Sequence, residues 1–267
     1  MFANVVIGVD GRDCGRDPVR LARELCAEGA KLTLARFHRD YRNLDHAVDK
    51  SLRDTERQIA ETLLARAAAL NKLDVTKAVG AATVHEAFSE YCRESRADLL
   101  VIGSGRHAAP GRVDVANWLT RVVSRAPCAV AVAPRGYKSH HGAIRQIGVP
   151  DDGSEETRQA LAIARRMASH QGAGLSILEG ISAADFHRSA YAWNPTGWVS
   201  EKIQSLDLLV LPADAEETVR LLHPSVSRAL LHGAHAPLLI VTRAAGIPRW
   251  GDQTSHETHM SDALERA

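Results

Sequence analysis

At 267 residues and 45% hydrophobic, the chain can bury one large core or two cores of about 130 residues each. Its 33 basic and 32 acidic residues leave a formal charge of +1, without the broad basic field of a nucleic-acid binder or a polybasic membrane patch. No apolar run approaches the ~20 residues of a membrane span. Val5-Val6-Ile7-Gly8-Val9 is too short and lacks the basic flank of a signal peptide, so a soluble, cytoplasmic protein is expected.

In chain order, short apolar runs predict strands near 4–10, 31–37, 73–79, 98–103 and 128–133. Between the first two, Leu21, Ala22, Leu25 and Cys26 form the stripe of an amphipathic helix, with Asp17-Pro18 offering a cap and a first-turn proline. Residues 48–71 predict a second helix with Ile59, Leu63, Leu64, Ala67 and Leu70 inward. Val84 to Glu94 and Ala116 to Ser124 predict two more. Strands that are apolar throughout are buried on both faces, which implies a parallel sheet covered by helices.

The same signals then return. Val6-Ile7-Gly8-Val9-Asp10-Gly11 recurs as Ile147-Gly148-Val149-Pro150-Asp151-Asp152-Gly153, and Gly29–Leu34 as Gly172–Ile177. Ala97-Asp98-Leu99-Leu100-Val101-Ile102 recurs as Leu206-Asp207-Leu208-Leu209-Val210-Leu211, and Ala126–Val132 as His235–Val241. Four matches in one order mark a duplication. The offset between copies falls from 142 at Asp10/Asp152 to 109 at Asp98/Asp207, so 33 residues are missing from the second copy, enough for one helix and one strand. Ser182 to Ser205 occupies that place; its Tyr191, Trp193 and Trp198 read as cover for the sheet edge left by the deletion, or as a ligand platform. The resulting expectation is a first domain over 1–134, a linker over 135–143, a shortened second domain over 144–243 and a flexible tail over 244–267.

Metal and thiol chemistry find little support. Cys14, Cys26, Cys92 and Cys128 contain no Cys-x-x-Cys pair, and Cys26 and Cys128 lie in apolar runs that suit small core residues. Among the 13 histidines, His232 and His235 could share a helical face, but no third ligand is near, and no metal site is assigned.

In an open parallel sheet, ligands bind beyond the carboxyl ends of the strands where strand order reverses. Two loops would flank that point. Asp10 could accept from an amino group or ribose hydroxyl, or could serve the local backbone and the next helix's positive end. The stretch Gly103-Ser104-Gly105-Arg106-His107-Ala108-Ala109-Pro110-Gly111 could bring bare main chain to a phosphate, with the following helix adding its dipole; glycines also simply make turns. No G-x-x-x-x-G-K-[ST], G-x-G-x-x-G or G-x-S-x-G motif is present, and neither copy assembles a nucleophile with a base.

These residues resemble the universal stress protein family over 1–134 and 143–243, through Val9-Asp10-Gly11, the strand Asp98–Ser104 and the ending Ala126-Pro127-Cys128-Ala129-Val130. The resemblance implies tandem doubly wound, Rossmann-like α/β domains of strand order 3-2-1-4-5 that pair through their last strands. Some members hold ATP with an aspartate after strand 1 and a G-x-x-G-x(9)-G-[ST] motif after strand 4. Carried across, the aspartate is Asp10 and the first glycine Gly103, while the second glycine falls on Arg106, the third on Ala116 and the Ser/Thr on Asn117. Arg106 keeps a charge and Asn117 a donor, and Gly105 and Gly111 are candidates to compensate. In the second copy the aspartate is Asp152 and the Ser/Thr is Ser225, but Pro212 replaces the strand-4 glycine and Asp214, Glu216 and Glu217 follow, an arrangement hostile to phosphate.

The ligand-binding candidates are therefore Asp10, Gly103, Ser104, Gly105, Arg106 and Asn117, with no catalytic residue. The expected function is a stress-response binding module with impaired ATP binding, docking an unidentified regulatory protein. The alternative is an ATP or AMP sensor working through the N-terminal domain alone; a weak ATPase is the third reading and lacks a general base. Cys128–Val132 and Leu238–Val241, if edge strands, would pair antiparallel into an intramolecular pseudo-dimer, with a homodimer of chains left open.

Overall fold

The computed structural model describes residues 1–11, 13–39, 46–73, 76–81, 83–105, 108–113, 117–140, 142–151, 153–179, 205–213 and 236–242. In chain order the first half holds β1 (Phe2–Gly8), α1 (Arg16–Leu25), β2 (Cys26–Arg39), α2 (His46–Asn71), β3 (Thr76–Ala81), α3 (Val84–Glu94), β4 (Leu99–Gly103), α4 (Asn117–Arg125) and β5 (Ala129–Ala133). β6 (Gln146–Asp151), α5 (Glu155–Gln171), β7 (Gly174–Glu179), β8 (Leu208–Ala213) and β9 (Leu238–Thr242) follow. The described strands form one nine-stranded sheet of order β3-β2-β1-β4-β5-β9-β8-β6-β7.

The first half is a mostly parallel α/β sheet of order 3-2-1-4-5, as expected. Its strands are buried on both faces, and their alternation sorts the core into two layers. Val5 and Ile7 of β1 pack with Leu21 and Leu25 of α1 and Leu64 of α2. Val6 packs on the other face with Phe88 of α3 and Val122 and Val123 of α4. Strand order reverses between β1 and β4, because β1 pairs with β2 on one side and with β4 on the other.

Two carboxylates fix that pairing and its counterpart in the second half. Asp98, just before β4, accepts from the amides of Ala3 (2.7 Å) and Asn4 (3.0 Å) at the start of β1. Asp207, just before β8, accepts from Arg145 (2.8 Å) and Gln146 (2.9 Å) at the start of β6. In each case the aspartate's own N–H donates back to the neighbouring strand, to Asn4 O and Gln146 O respectively. β6 pairs in parallel with β7 and β8, and β8 with β9. β5 and β9 meet antiparallel, with Val130 opposite Ile240, Ala131 opposite Leu239 and Val132 opposite Leu238.

Several local expectations change. β2 runs from Cys26, directly after α1, rather than from 31, and a register shift between Phe2 and Asn4 absorbs its longer start. α1 begins at Arg16 behind a left-handed Gly15, so Asp17 lies inside the first turn and does not cap. On α2 the inward stripe is Ala60, Leu64 and Ala67, while Ile59 and Leu70 are 49% and 55% exposed. The helix is rotated relative to the stripe read from the sequence, since Ala60 rather than Ile59 leads the buried face. Cys128 is buried as expected, whereas Cys26 is only half-buried. The aromatic segment 191–198, Ser225, His232 and His235, and the tail lie outside the described residues.

Asp98→Ala and Asp207→Ala should each lower the unfolding free energy by about 1–3 kcal/mol, because each leaves two strand amides without their charged acceptor. Urea melts of the two variants check this; a change confined to Asp98→Ala would show that only the first clasp bears on stability.

Candidate functional site

β1 ends at Gly8, and Val9 N continues the pairing to Ala35 O (2.8 Å) before the chain turns away from the sheet. The turn is tight: Asp13 (φ 47°), Cys14 (φ 53°) and Gly15 (φ 69°) are all left-handed. Such a run costs backbone energy at the two non-glycine positions. It is held by the Asn71 side-chain amide, which donates to Cys14 O (3.0 Å), and a Cβ on Gly15 would sit 3.0 Å from a Val9 methyl.

On the neighbouring strand, β4 ends at Gly103, followed by Ser104 and Gly105. The two carboxyl ends open a crevice of about 970 Å³ at the point where strand order reverses. Asp10, Gly103, Ser104 and Gly105 all line it, so four sequence-derived candidates come together. Arg106 lies outside the described residues; Asn117 opens α4, but its side chain does not belong to the described set. A Cβ on Gly103 would only graze Pro18 at 3.6 Å. A Cβ there would make only ordinary contact with the protein, and the glycine leaves main chain bare toward the crevice.

The crevice has two unlike lips. On the α3 face Phe37, Val84, Phe88 and Ile102 form an apolar wall. Gly8 makes this wall possible: its absent Cβ would fall 2.9 Å from Ile102 Cγ2 and 3.1 Å from Phe88 Cζ. On the α1 face the lip is charged, with Asp13, Arg16 and Asp17 joined by Arg135 and Lys138 from the segment after β5. Arg36, at the carboxyl end of β2, donates to Val9 O (3.1 Å) beside Gly11.

The segment expected to be a linker is an ordered wall. Its 3-10 turn Tyr137–Ser139 lies against α1. The Asp17 carboxylate accepts from the amides of Gly136 (2.8 Å) and Lys138 (2.8 Å), and Lys138 Nζ pairs with Asp13 at 2.7 Å. Tyr137 is buried, donates its hydroxyl to Glu24 and stacks on His140 with ring centroids 5.0 Å apart. Gln171 of α5 donates to the backbone carbonyl of the same Glu24 (2.6 Å), so both halves converge on this residue. Burial raises the Glu24 carboxyl above its ordinary range, and the bonds from Tyr137 and Arg20 offset part of that rise. Burial also pushes the Tyr137 hydroxyl up, as does its bond to Glu24.

The end of β5, the loop's own backbone and the same segment together stitch the loop after β4. Ser104 N donates to Ala133 O (2.9 Å), Gly111 N to Arg135 O (2.8 Å) and Ala108 N to Gly105 O (3.1 Å). Arg135 returns its amide to Arg112 O (3.0 Å) and its guanidinium to Ala108 O (2.9 Å). Gly111, a candidate to replace a displaced motif glycine, thus has its amide engaged by the backbone. Among the described residues, no group of three His, Cys, Asp or Glu could hold a metal, and no helix is long and apolar enough to cross a membrane.

A doubly wound first half with its opening at the β1–β4 reversal narrows the fold, and a comparison with known families decides its membership: the Universal stress protein family matches residues 1–134. The chain belongs to the universal stress protein family. A universal stress protein from Archaeoglobus fulgidus DSM 4304 is 11% identical, with 90% of this chain and 96% of that chain covered at a TM-score of 0.59. A putative universal stress protein from Pseudomonas aeruginosa UCBPP-PA14 is 13% identical, with coverage of 90% and 93% and a TM-score of 0.52. A functionally unknown protein from Pseudomonas aeruginosa PAO1 is 12% identical, with coverage of 100% and 98% and a TM-score of 0.53. At these identities the three share a fold with this universal stress protein, and nothing finer is drawn from them. No curated protein matches the chain.

Sequence reasoning found the residues at the ends of β1 and β4 but missed Arg36 and Phe37, which the strand-end rule could have supplied from β2. It also missed Arg135 and Lys138, which reach the crevice only because their segment folds back on α1.

Two measurements probe this geometry. Gly8→Val should overpack the apolar lip and lower the unfolding free energy by about 1–3 kcal/mol in urea melts. Glu24 tests the buried contact by pH. Its folded-state pKa is raised, so the folded protein holds that proton more tightly than the unfolded chain. Its contribution to stability is then present in acid and is lost as pH rises through the folded-state value. Glu24→Gln should flatten that decline, and urea melts at pH values from about 4 to 7 give the slope that checks it.

Proposed function

We propose that this universal stress protein is a binding and regulatory module of the stress response, whose N-terminal crevice takes an adenine nucleotide but cradles a triphosphate poorly. The observation that carries this reading is the engagement of the loop after β4: the amides of Ser104, Ala108 and Gly111 all donate to backbone carbonyls. An amide already paired in this way is not available to wrap a chain of phosphates. The apolar wall of Phe37, Val84, Phe88 and Ile102 suits one face of a flat heterocycle. Asp10, an exposed carboxylate in the crevice lining, can accept from a ribose hydroxyl or a ring amino group. Neither half of the sequence joins a nucleophile to a base, which favours binding over turnover.

The reading extends to the whole chain. Residues 1–134 and 144–243 are two copies of one domain, joined through 135–143 and closed into an intramolecular pseudo-dimer by β5 and β9. The order β7-β6-β8-β9 repeats β2-β1-β4-β5 without a counterpart of β3 among the described strands, which supports this division. The matched clasps at Asp98 and Asp207 support it independently. A regulatory protein partner belongs to the same proposal, whereas the near-neutral charge argues against nucleic acid.

Chromatography of small molecules released from freshly purified protein, followed by calorimetric titration, tests the crevice. AMP should bind at least as tightly as ATP, and Asp10→Ala should weaken AMP by about tenfold, the loss of roughly one charge-assisted hydrogen bond. Stoichiometric ATP in the extract, or ATP binding well ahead of AMP, would overturn the impaired cradle.

A further inference from the structure

We propose that the segment joining the two halves supplies the anion-recognising wall of the crevice, with Lys138 and Arg135 contacting the phosphate of a nucleoside monophosphate. This inference rests on the nucleotide reading above and adds which end of the ligand faces which residues.

The geometry orders the choices. The apolar lip on the α3 face accepts a base and repels a phosphate, since Phe37, Val84, Phe88 and Ile102 bring no donor there. The bare main chain at Gly103 lies between the lips, but the amides of Ser104 and Ala108 beyond it are committed to carbonyls. Among the described residues that line the crevice, cationic side chains stand on the α1 face and at Arg36. Arg36 stands at the β2 side, beside Gly11 and next in sequence to Phe37 of the apolar wall. A phosphate held there would crowd the base end of a ligand whose two ends must diverge.

On the α1 face, the two carboxylates Asp13 and Asp17 differ in how far they oppose an anion. Asp17 already accepts two amides of the joining segment. Asp13 is paired with Lys138 at 2.7 Å and lies 3.9 Å from Arg16. Lys138 and Asp13 are about one-third exposed, so their ion pair is weak and exchangeable. A dianionic phosphate can take the ammonium from Asp13 at little cost. Arg135 presents a fork of donors whose Nη1 is anchored on Ala108 O, which sets the guanidinium beside the crevice before any ligand arrives. The wall is preorganised: Tyr137 between the two cations is buried and bonded to Glu24, and their own backbone is pinned to Asp17 and Arg112.

Two cations on one short segment suit a single phosphate group. The ligand class assigned is a nucleoside monophosphate, base toward Phe88 and phosphate toward Lys138.

Calorimetric titration of the full chain with adenosine and with AMP reads the phosphate's share directly. AMP should bind about tenfold or more tightly than adenosine, with an advantage that shrinks as salt rises. In Lys138→Met and in Arg135→Met the advantage should fall to about twofold while adenosine affinity holds, and Lys138→Arg should restore it. Unchanged adenosine binding shows that the variants keep the crevice, which matters for Arg135 because it also braces the loop. If AMP keeps its full advantage in Lys138→Met and Arg135→Met, or never exceeds adenosine in the unaltered protein, the wall is wrongly assigned while the crevice reading stands. If neither compound binds the unaltered protein, the crevice reading fails, and this inference with it.

Discussion

The position of β1 beside β4 governs everything at the carboxyl edge of the sheet, and a carboxylate secures it. Asp98 gathers the amides of Ala3 and Asn4 and returns its own amide to Asn4 O, which locks the amino ends of the two strands together. With that end fixed, Val5, Val6 and Ile7 fall opposite Leu99, Leu100 and Val101. The strands leave the sheet on different errands: β1 turns toward α1 on one face, and β4 runs into the loop before α4, which packs on the other. A gap between the two exits follows from connectivity alone. Its chemical character is then set by which side chains the flanking helices bring to the rim.

The joining segment turns that gap into a defined crevice. Without it, the Asp13–Gly15 turn would rest on Asn71, and the loop after β4 would lack the carbonyl and the guanidinium of Arg135. With it, one short stretch touches both exits, through Asp17 and Asp13 on one side and through Gly111 and Arg112 on the other. The contact is anchored by Tyr137 and Glu24 in a partly desolvated spot, where a hydrogen bond is worth more than at the surface. Rigidity in the rim thus comes from tertiary contacts rather than from the glycines, whose usual role is to let the main chain bend.

How legible this was in the sequence depends on the range of the interaction. Strand and helix placement rest on periodicity, visible in one dimension, whereas strand order and the meeting of Asp10 with Gly103 were implied by the family resemblance and the strand-reversal rule. Ile59 and Leu70 misled because a stripe of apolar residues predicts a buried face only if the helix sits at the expected rotation; Ala60 and Ala67 take the close contacts instead. Asp17 before Pro18 read as a cap because local geometry favours one, yet its carboxylate is drawn 119 residues along the chain to Gly136. Lys138 and Arg135 carried no signal, since a Pro-Arg-Gly-Tyr-Lys stretch between two sheets reads as a tether. Residues whose role depends on a fold-back are invisible to any rule of spacing.

The second half keeps the scaffold of the first but differs at a strand end. Under the duplication proposed here, Asp207 repeats the clasp of Asp98, and β9 seals the open edge of β5. At the strand end, however, Pro212 stands in register where the first copy has Gly103, paired within β8 against Val241. Proline has no amide to offer and puts a ring where the first copy has bare main chain, so this position cannot donate as Gly103 could. Meanwhile Gln171 at the end of α5 reaches across to Glu24, the residue that anchors Tyr137. The second half therefore acts on the first through Glu24, bracing the wall of the N-terminal crevice. An arrangement of this kind needs both halves on one chain, because the segment that forms the wall is the covalent link between them.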